Sequence, residues 1–168
     1  MVYTMEIYID GGCRGNGRPD AIGAAAAVFK YRWGRQQAWT RYLESTDEHW
    51  NDDPPVTNQR AEMTAVIIAL EQALEKYHDL DGTPRIDVKI YTDSKYVIGC
   101  MTDWIYKWSN NGWINAAGNP VANQDLIRVA SDLDDRLKEE GSVKYIWIPR
   151  ADNQDADDAC NDRMDQGQ

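Results

Sequence analysis

Ile86-Asp87-Val88-Lys89-Ile90-Tyr91-Thr92-Asp93-Ser94-Lys95 changes its period part-way along. Ile86, Val88 and Ile90 alternate with Asp87, Lys89 and Tyr91, the two-residue repeat of a half-buried strand. From Asp93 onward the apolar spacing is helical, carried by Tyr96, Val97 and Cys100. A carboxylate where a strand gives way to a helix sits where α/β sheets place their ligands. Asp and Ser are also preferred helix N-caps, so Asp93 alone decides nothing. Its weight comes from three further carboxylates at comparable joints: Asp10, Glu62 and Asp157.

Moving outward, residues 2–10 read as a first strand. A glycine-rich turn follows at 11–17, able to bring backbone close to a ligand. It lacks the GxGxxG spacing of a dinucleotide site. Residues 21–31 and 37–44 read as second and third strands, joined by short links into an antiparallel meander. Residues 46–55 form a polar loop closed by Pro54-Pro55. Helical period spans 58–77, and a short helix starts at Ser94, ahead of the Trp-rich run 104–113. A helix over 123–139 shows Leu126, Val129, Ala130, Leu133 and Leu137 as its stripe. A strand at 143–148 is stopped by Pro149, and a last helix covers 153–164. The order β-β-β-α-β-α-α-β-α predicts an α/β fold with a mixed five-stranded sheet flanked by helices. One domain over residues 1–168 is expected.

Of the 168 residues, 42% are hydrophobic and 27% charged, as in ordinary globular chains. No apolar run is long enough to span a bilayer, so no membrane partner is expected. Cys13, Cys100 and Cys160 are odd in number and lack CxxC spacing, which favours thiols in a reducing compartment over disulfides or a zinc site. An intracellular location is expected, cytoplasmic or nuclear, with an organelle left open. The net charge of −10 argues against broad attraction to nucleic acid. Binding of an anionic polymer would rely on local basic and aromatic groups. Adaptation to high salt gives a similar balance.

The carboxylates carry the chemistry. Asp10 ends the first strand. Glu62 shares a helical face with Val66, Ala69, Leu70 and Ala73, and a carboxylate on an apolar stripe is costly unless paired or metal-bound. Asp157 lies early in the last helix among Asp152, Asp155 and Asp158, where helix-dipole effects also gather acids. If strands one and four lie side by side, the four carboxylates meet. Like charges so placed need divalent cations or protons. Oxygen-only ligands point to Mg²⁺, with Mn²⁺ possible. Such a set suggests metal-dependent phosphodiester cleavage.

Five stretches then resemble one family in order and spacing: Tyr8-Ile9-Asp10-Gly11-Gly12, Thr57-Asn58-Gln59-Arg60-Ala61-Glu62, Tyr91-Thr92-Asp93-Ser94, Asn111-Gly112-Trp113 and Asn153-Gln154-Asp155-Ala156-Asp157. They are similar to ribonuclease H type 1, across nearly the whole chain. The resemblance implies the ribonuclease H-like fold. It also implies two-metal cleavage of the RNA strand of RNA–DNA hybrids, leaving 3′-hydroxyl and 5′-phosphate ends. Asp10, Glu62, Asp93 and Asp157 match the metal-binding carboxylates. Asn16, Asn58 and Gln59 match groups that contact RNA, where 2′-hydroxyls mark it out from DNA. Thr57 and Asn123 match a DNA-phosphate pocket, and Tyr96 and Trp104 an aromatic channel for the DNA strand. Trp108 fits core packing better.

Two departures from the family pattern stand out. The family's histidine-bearing loop before Asn153 is missing: Ile148-Pro149-Arg150-Ala151-Asp152-Asn153 is too short and resembles a Pro-Arg-x-x-Asn variant. Arg150 is left to hold a phosphate, and neither His49 nor His78 is placed to replace the loop. The Trp-rich run has the form of the family's substrate-gripping protrusion but carries only Lys107 as a basic residue, and Pro55 stands where some relatives have a phosphate-binding arginine. Hybrid binding is therefore expected to be modest and salt-sensitive, by a monomer. Two rival readings are a hybrid-binding module with weak turnover and a ribonuclease H domain from a retroelement polyprotein.

Overall fold

The computed structural model describes residues 2–16, 18–44 and 55–167. Five strands form one sheet: β1 (Val2–Arg14), β2 (Ile22–Lys30), β3 (Gln36–Glu44), β4 (Arg85–Thr92) and β5 (Gly141–Trp147). Their order is β3-β2-β1-β4-β5. β1, β2 and β3 pair antiparallel, and β4 joins β1 and β5 in parallel. The first three strands form the expected meander. The parallel half requires crossovers, and the helices supply them.

Helix α1 (Asn58–Asp79) links β3 to β4. The run from Ser94 is continuous: α2 (Lys95–Gly99), a π-type turn (Cys100–Trp104) and α3 (Ile105–Asn111), ended by Gly112 at φ 80°. Counted as one helical run, it keeps the expected element order, and much of the Trp-rich segment lies within it. Helices α4 (Gln124–Lys138) and α5 (Gln154–Gln166) complete the chain.

The alternation in β4 points Ile86, Val88 and Ile90 into the core, together with Met5, Ile7 and Ile9 of β1. Helix α1 covers that face with Ala65, Val66, Ala69, Leu70 and Ala73. The alanine run of β2 is buried on both faces: Ala25 and Ala27 join this core, while Ala24 and Ala26 pack on Cys160 and Met164 of α5. Small side chains there let two layers close on one strand.

Two local expectations change. β1 continues to Arg14, with Gly11 opposite Ala25 and Gly12 opposite Ala24. The turn starts only at Gly15 (φ 78°), because the backbone at 11–14 has a partner strand to bond. In α4 the buried face is Ile127, Ala130, Asp134 and Leu137, whereas Val129 is exposed. Asp134 is tolerated inside because it accepts from the Tyr145 hydroxyl at 2.7 Å and pairs with Lys138 at 2.8 Å. The polar loop expected at 46–55, except Pro55, lies outside the described residues, as does His49. Among the described residues, no helix is long and apolar enough to cross a membrane.

Candidate active site

Parallel pairing of β1 and β4 sets Ile9 opposite Thr92. Asp10 and Asp93 therefore emerge side by side at the same end of the sheet. Glu62 is brought to them by a close approach of α1, which Gly11 permits. A Cβ on Gly11 would lie 2.3 Å from the backbone of Ala61 and Glu62. What the glycine admits is the helix carrying Glu62, rather than a ligand. Ser94 adds a tether: its hydroxyl donates to Glu62 Oε2 at 2.8 Å and accepts from the Val97 N–H at 3.1 Å as the cap of α2. Glu62, in the second turn of α1, is thus tied to the start of α2 by Ser94.

Helix α5 reaches the same end because Pro149 stops the chain after β5, and a 3₁₀ turn (Arg150–Asp152) redirects it. Asp157 in its first turn faces the other three carboxylates. Together Asp10, Glu62, Asp93 and Asp157 line a cavity of about 330 Å³, with Asn58 and Arg150 at its walls. Arg150 is 80% exposed and lies 3.6 Å from Asp157.

Crowding shows in the protonation equilibria. Burial, the Asp93 charge and a hydrogen bond with Asp157 push the Asp10 carboxyl from 3.8 up to about 8. Burial also raises Glu62, opposed by the Ser94 hydroxyl and reinforced by Asp93. Cys160, also on the cavity wall, is pushed up to about 12 by burial and stays a neutral thiol. The available donors are therefore carboxylate oxygens, the set that suits Mg²⁺ or Mn²⁺. Among the described residues, no three His, Cys, Asp or Glu side chains already stand close enough to grip an ion. Without cations, burial and the neighbouring carboxylates make Asp10 hold its proton to higher pH, with a hydrogen bond to Asp157.

Of the residues expected to bind substrate, Asn58 and Arg150 line this cavity, and the others run from the N-terminus of α1 through Asn123 and Tyr96 to Trp104. Thr57 caps that helix by accepting from the Arg60 N–H at 3.1 Å. The Asn16 side-chain oxygen accepts from the Asn58 N–H at 2.9 Å, fixing the β1–β2 loop against it. Asn123, at φ 63°, donates to the Tyr96 hydroxyl at 3.0 Å and to Gln59 at 3.4 Å. Trp104 lies 6.3 Å from Tyr96, centroid to centroid, and leads to Trp108 and Trp113 in one aromatic row. Gly99 seats the Trp104 ring, which a Cβ would meet at 2.7 Å. Trp104 remains 36% exposed and open to a ligand. Trp108 packs against the core.

Three participants were not singled out from sequence. Arg60 joins Asp125 at 2.8 and 3.0 Å and reaches Asn123 at 3.4 Å, linking the starts of α1 and α4. Ser94 holds Glu62. Asn153 donates to the Ile9 carbonyl at 2.8 Å. Ser94 and Asn153 could have been noticed as polar residues one and four positions from a candidate carboxylate. The Arg60–Asp125 pair spans 65 positions and left no local signal. His78 is exposed near the C-terminal end of α1, about 24 Å along the helix from Glu62 at 1.5 Å per residue.

The family model described as RNase H matches residues 3–165. A protein named ribonuclease H from Methylobacillus flagellatus is 33% identical over 167 residues, 97% of this chain and 93% of that one. LC9-RNase H1, described as a type 1 RNase H with the type 2 active-site motif, superposes with TM-score 0.67 at 23% identity, covering 96% of this chain and 72% of that one. A foamy viral protease–reverse transcriptase solved with an RNA/DNA hybrid gives TM-score 0.70 at 20% identity, over 95% of this chain and 19% of that one.

Proposed function

The chain belongs to the ribonuclease H family and is an enzyme of that class, and from that premise we propose that it cleaves the RNA strand of RNA–DNA hybrids with divalent cations held by Asp10, Glu62, Asp93 and Asp157. The products are a 3′-hydroxyl and a 5′-phosphate. One observation supports this most: four carboxylates from four separate elements meet in one cavity, where the Asp10 carboxyl is pushed up to about 8. So many acids in one place hinder folding, and cation binding offsets that cost. Mg²⁺ or Mn²⁺ bound there would supply Lewis-acid activation of water and stabilisation of the leaving oxygen.

The chain's own groups do the rest. Asn16, Asn58 and Gln59 present polar groups to the 2′-hydroxyls of the RNA strand, and thereby select ribose. Thr57 and Asn123 receive a phosphate of the DNA strand. The exposed edge of Trp104, with Tyr96, supports its sugars and bases. Arg150 supplies a fixed positive charge at the cavity mouth for a phosphate, because a guanidinium does not exchange protons near neutral pH.

The test is cleavage of an end-labelled hybrid in Mg²⁺, beside duplex RNA and duplex DNA. The hybrid alone should be cut, and a duplex carrying a single ribonucleotide should survive. Asp10→Asn and Asp93→Asn should each abolish cutting. Wild-type rates in both variants would mean that the site is elsewhere.

A further inference from the structure

Asn153 is 1% exposed, at the N-terminal boundary of α5. Its amide nitrogen donates to the Ile9 carbonyl at 2.8 Å and to Asp93 Oδ2 at 3.4 Å. Its own carbonyl accepts from the Asp157 N–H at 3.1 Å. One side chain and its backbone thus touch the peptide before Asp10, the carboxylate of Asp93 and the backbone of Asp157. These three points come from β1, the β4–α2 joint and α5.

The amide has only one workable orientation. Reversed, its oxygen would face a carbonyl and a carboxylate, both acceptors. Held as it is, the buried Oδ1 has no hydrogen-bond partner. An unpartnered buried acceptor costs stability, which a side chain serving packing alone would not incur. A neutral donor also suits this position electrostatically: a lysine there would neutralise Asp93 and compete with a cation.

We propose that Asn153 is a positioning residue, whose amide ties the start of α5, and with it Asp157, to the strand end before Asp10 and to Asp93, so that divalent cations find these carboxylates gathered in one cavity and draw them in by small side-chain movements. This rests on the reading of those carboxylates as the metal-holding groups. Without the tie, like charges would drift apart in the metal-free protein, and each binding event would have to gather them again.

The test is calorimetric titration of Mn²⁺ into the wild type, Asn153→Ala and Asp10→Asn, with folding checked by circular dichroism. Asn153→Ala should weaken Mn²⁺ binding by about 10–100-fold, the usual effect of removing a group that orients a metal ligand. In steady-state cleavage its kcat should fall while KM for the hybrid holds. A folded Asn153→Ala protein with wild-type Mn²⁺ affinity and kcat would overturn the proposal. If that variant does not fold, the wild type decides by NMR. The Asn153 side-chain amide protons should shift as Mg²⁺ is added, and unmoved protons at saturation would equally overturn it. Asp10→Asn separates the two levels of inference. Equal Mn²⁺ uptake by wild type and Asp10→Asn would reject the carboxylate assignment itself. Lost uptake in Asp10→Asn with unchanged uptake in Asn153→Ala would reject only the positioning role.

Discussion

Replacing Asp10 by Asn should make the metal-free protein more stable, and by an amount that depends on pH. Asn keeps the shape of the carboxyl group but cannot ionise. In the folded chain the Asp10 carboxyl is pushed from 3.8 up to about 8, first by burial and then by Asp93 and Asp157. Because the folded value lies above the unfolded one, the protonated group favours folding. That contribution is complete below about pH 4 and is lost as pH rises through 8. At 1.36 kcal/mol per pH unit, the separation sets an upper bound of roughly 6 kcal/mol on the penalty above pH 8. Local relaxation and the proton shared with Asp157 reduce this, to about 2–3 kcal/mol by order of magnitude. In urea denaturation with a chelator present, Asp10→Asn should match wild type at pH 4 and exceed it by that amount at pH 9. For a chain of this size the gain corresponds to about 5–10 °C in Tm. Saturating Mg²⁺ should shrink the difference by stabilising the wild type. Equal or lower stability of Asp10→Asn at pH 9 would refute the picture of a repelling cluster.

Gly11→Ala should cost about 3 kcal/mol in urea denaturation, because its methyl group would overlap the α1 backbone; an unchanged midpoint would reject the close approach. Arg60→Ala should raise KM for the hybrid several-fold in steady-state kinetics with little change in kcat, since Arg60 braces Asn123 and not the carboxylates. At limiting Mg²⁺, cleavage rate should rise with pH as Asp10 loses the proton that competes with cations, without a separate step near 6.5 from histidine. His78→Ala should accordingly leave the profile unchanged, and a large loss in that variant with folding intact would restore a role for histidine.

Much of this was written in local pattern. The two-residue period of 86–91 and the helical period of 58–77 are imposed by burial on one face, and a strand or helix carries that signal in its own sequence. Asp10, Glu62, Asp93 and Asp157 were legible because each sits at a joint between elements, and because five short stretches resembled one family in order. The end of β1 was not legible: glycines at 11 and 12 suit a turn, and only pairing with β2 keeps them extended. Val129 looked buried by spacing, yet which side of α4 faces inward depends on where α1 and β5 lie. The same holds for the ties among the site residues. Arg60 with Asp125, Ser94 with Glu62 and Asn153 with Ile9 are contacts between distant segments. Hydrogen bonds of that kind exist only after the sheet register and helix packing have set the distances, so they leave no period in the chain. The residue types available for chemistry were determined by the sequence alone; the burial and crowding that push Asp10 up to about 8 were decided by the tertiary structure, because desolvation depends on packing and charge repulsion on separation in space.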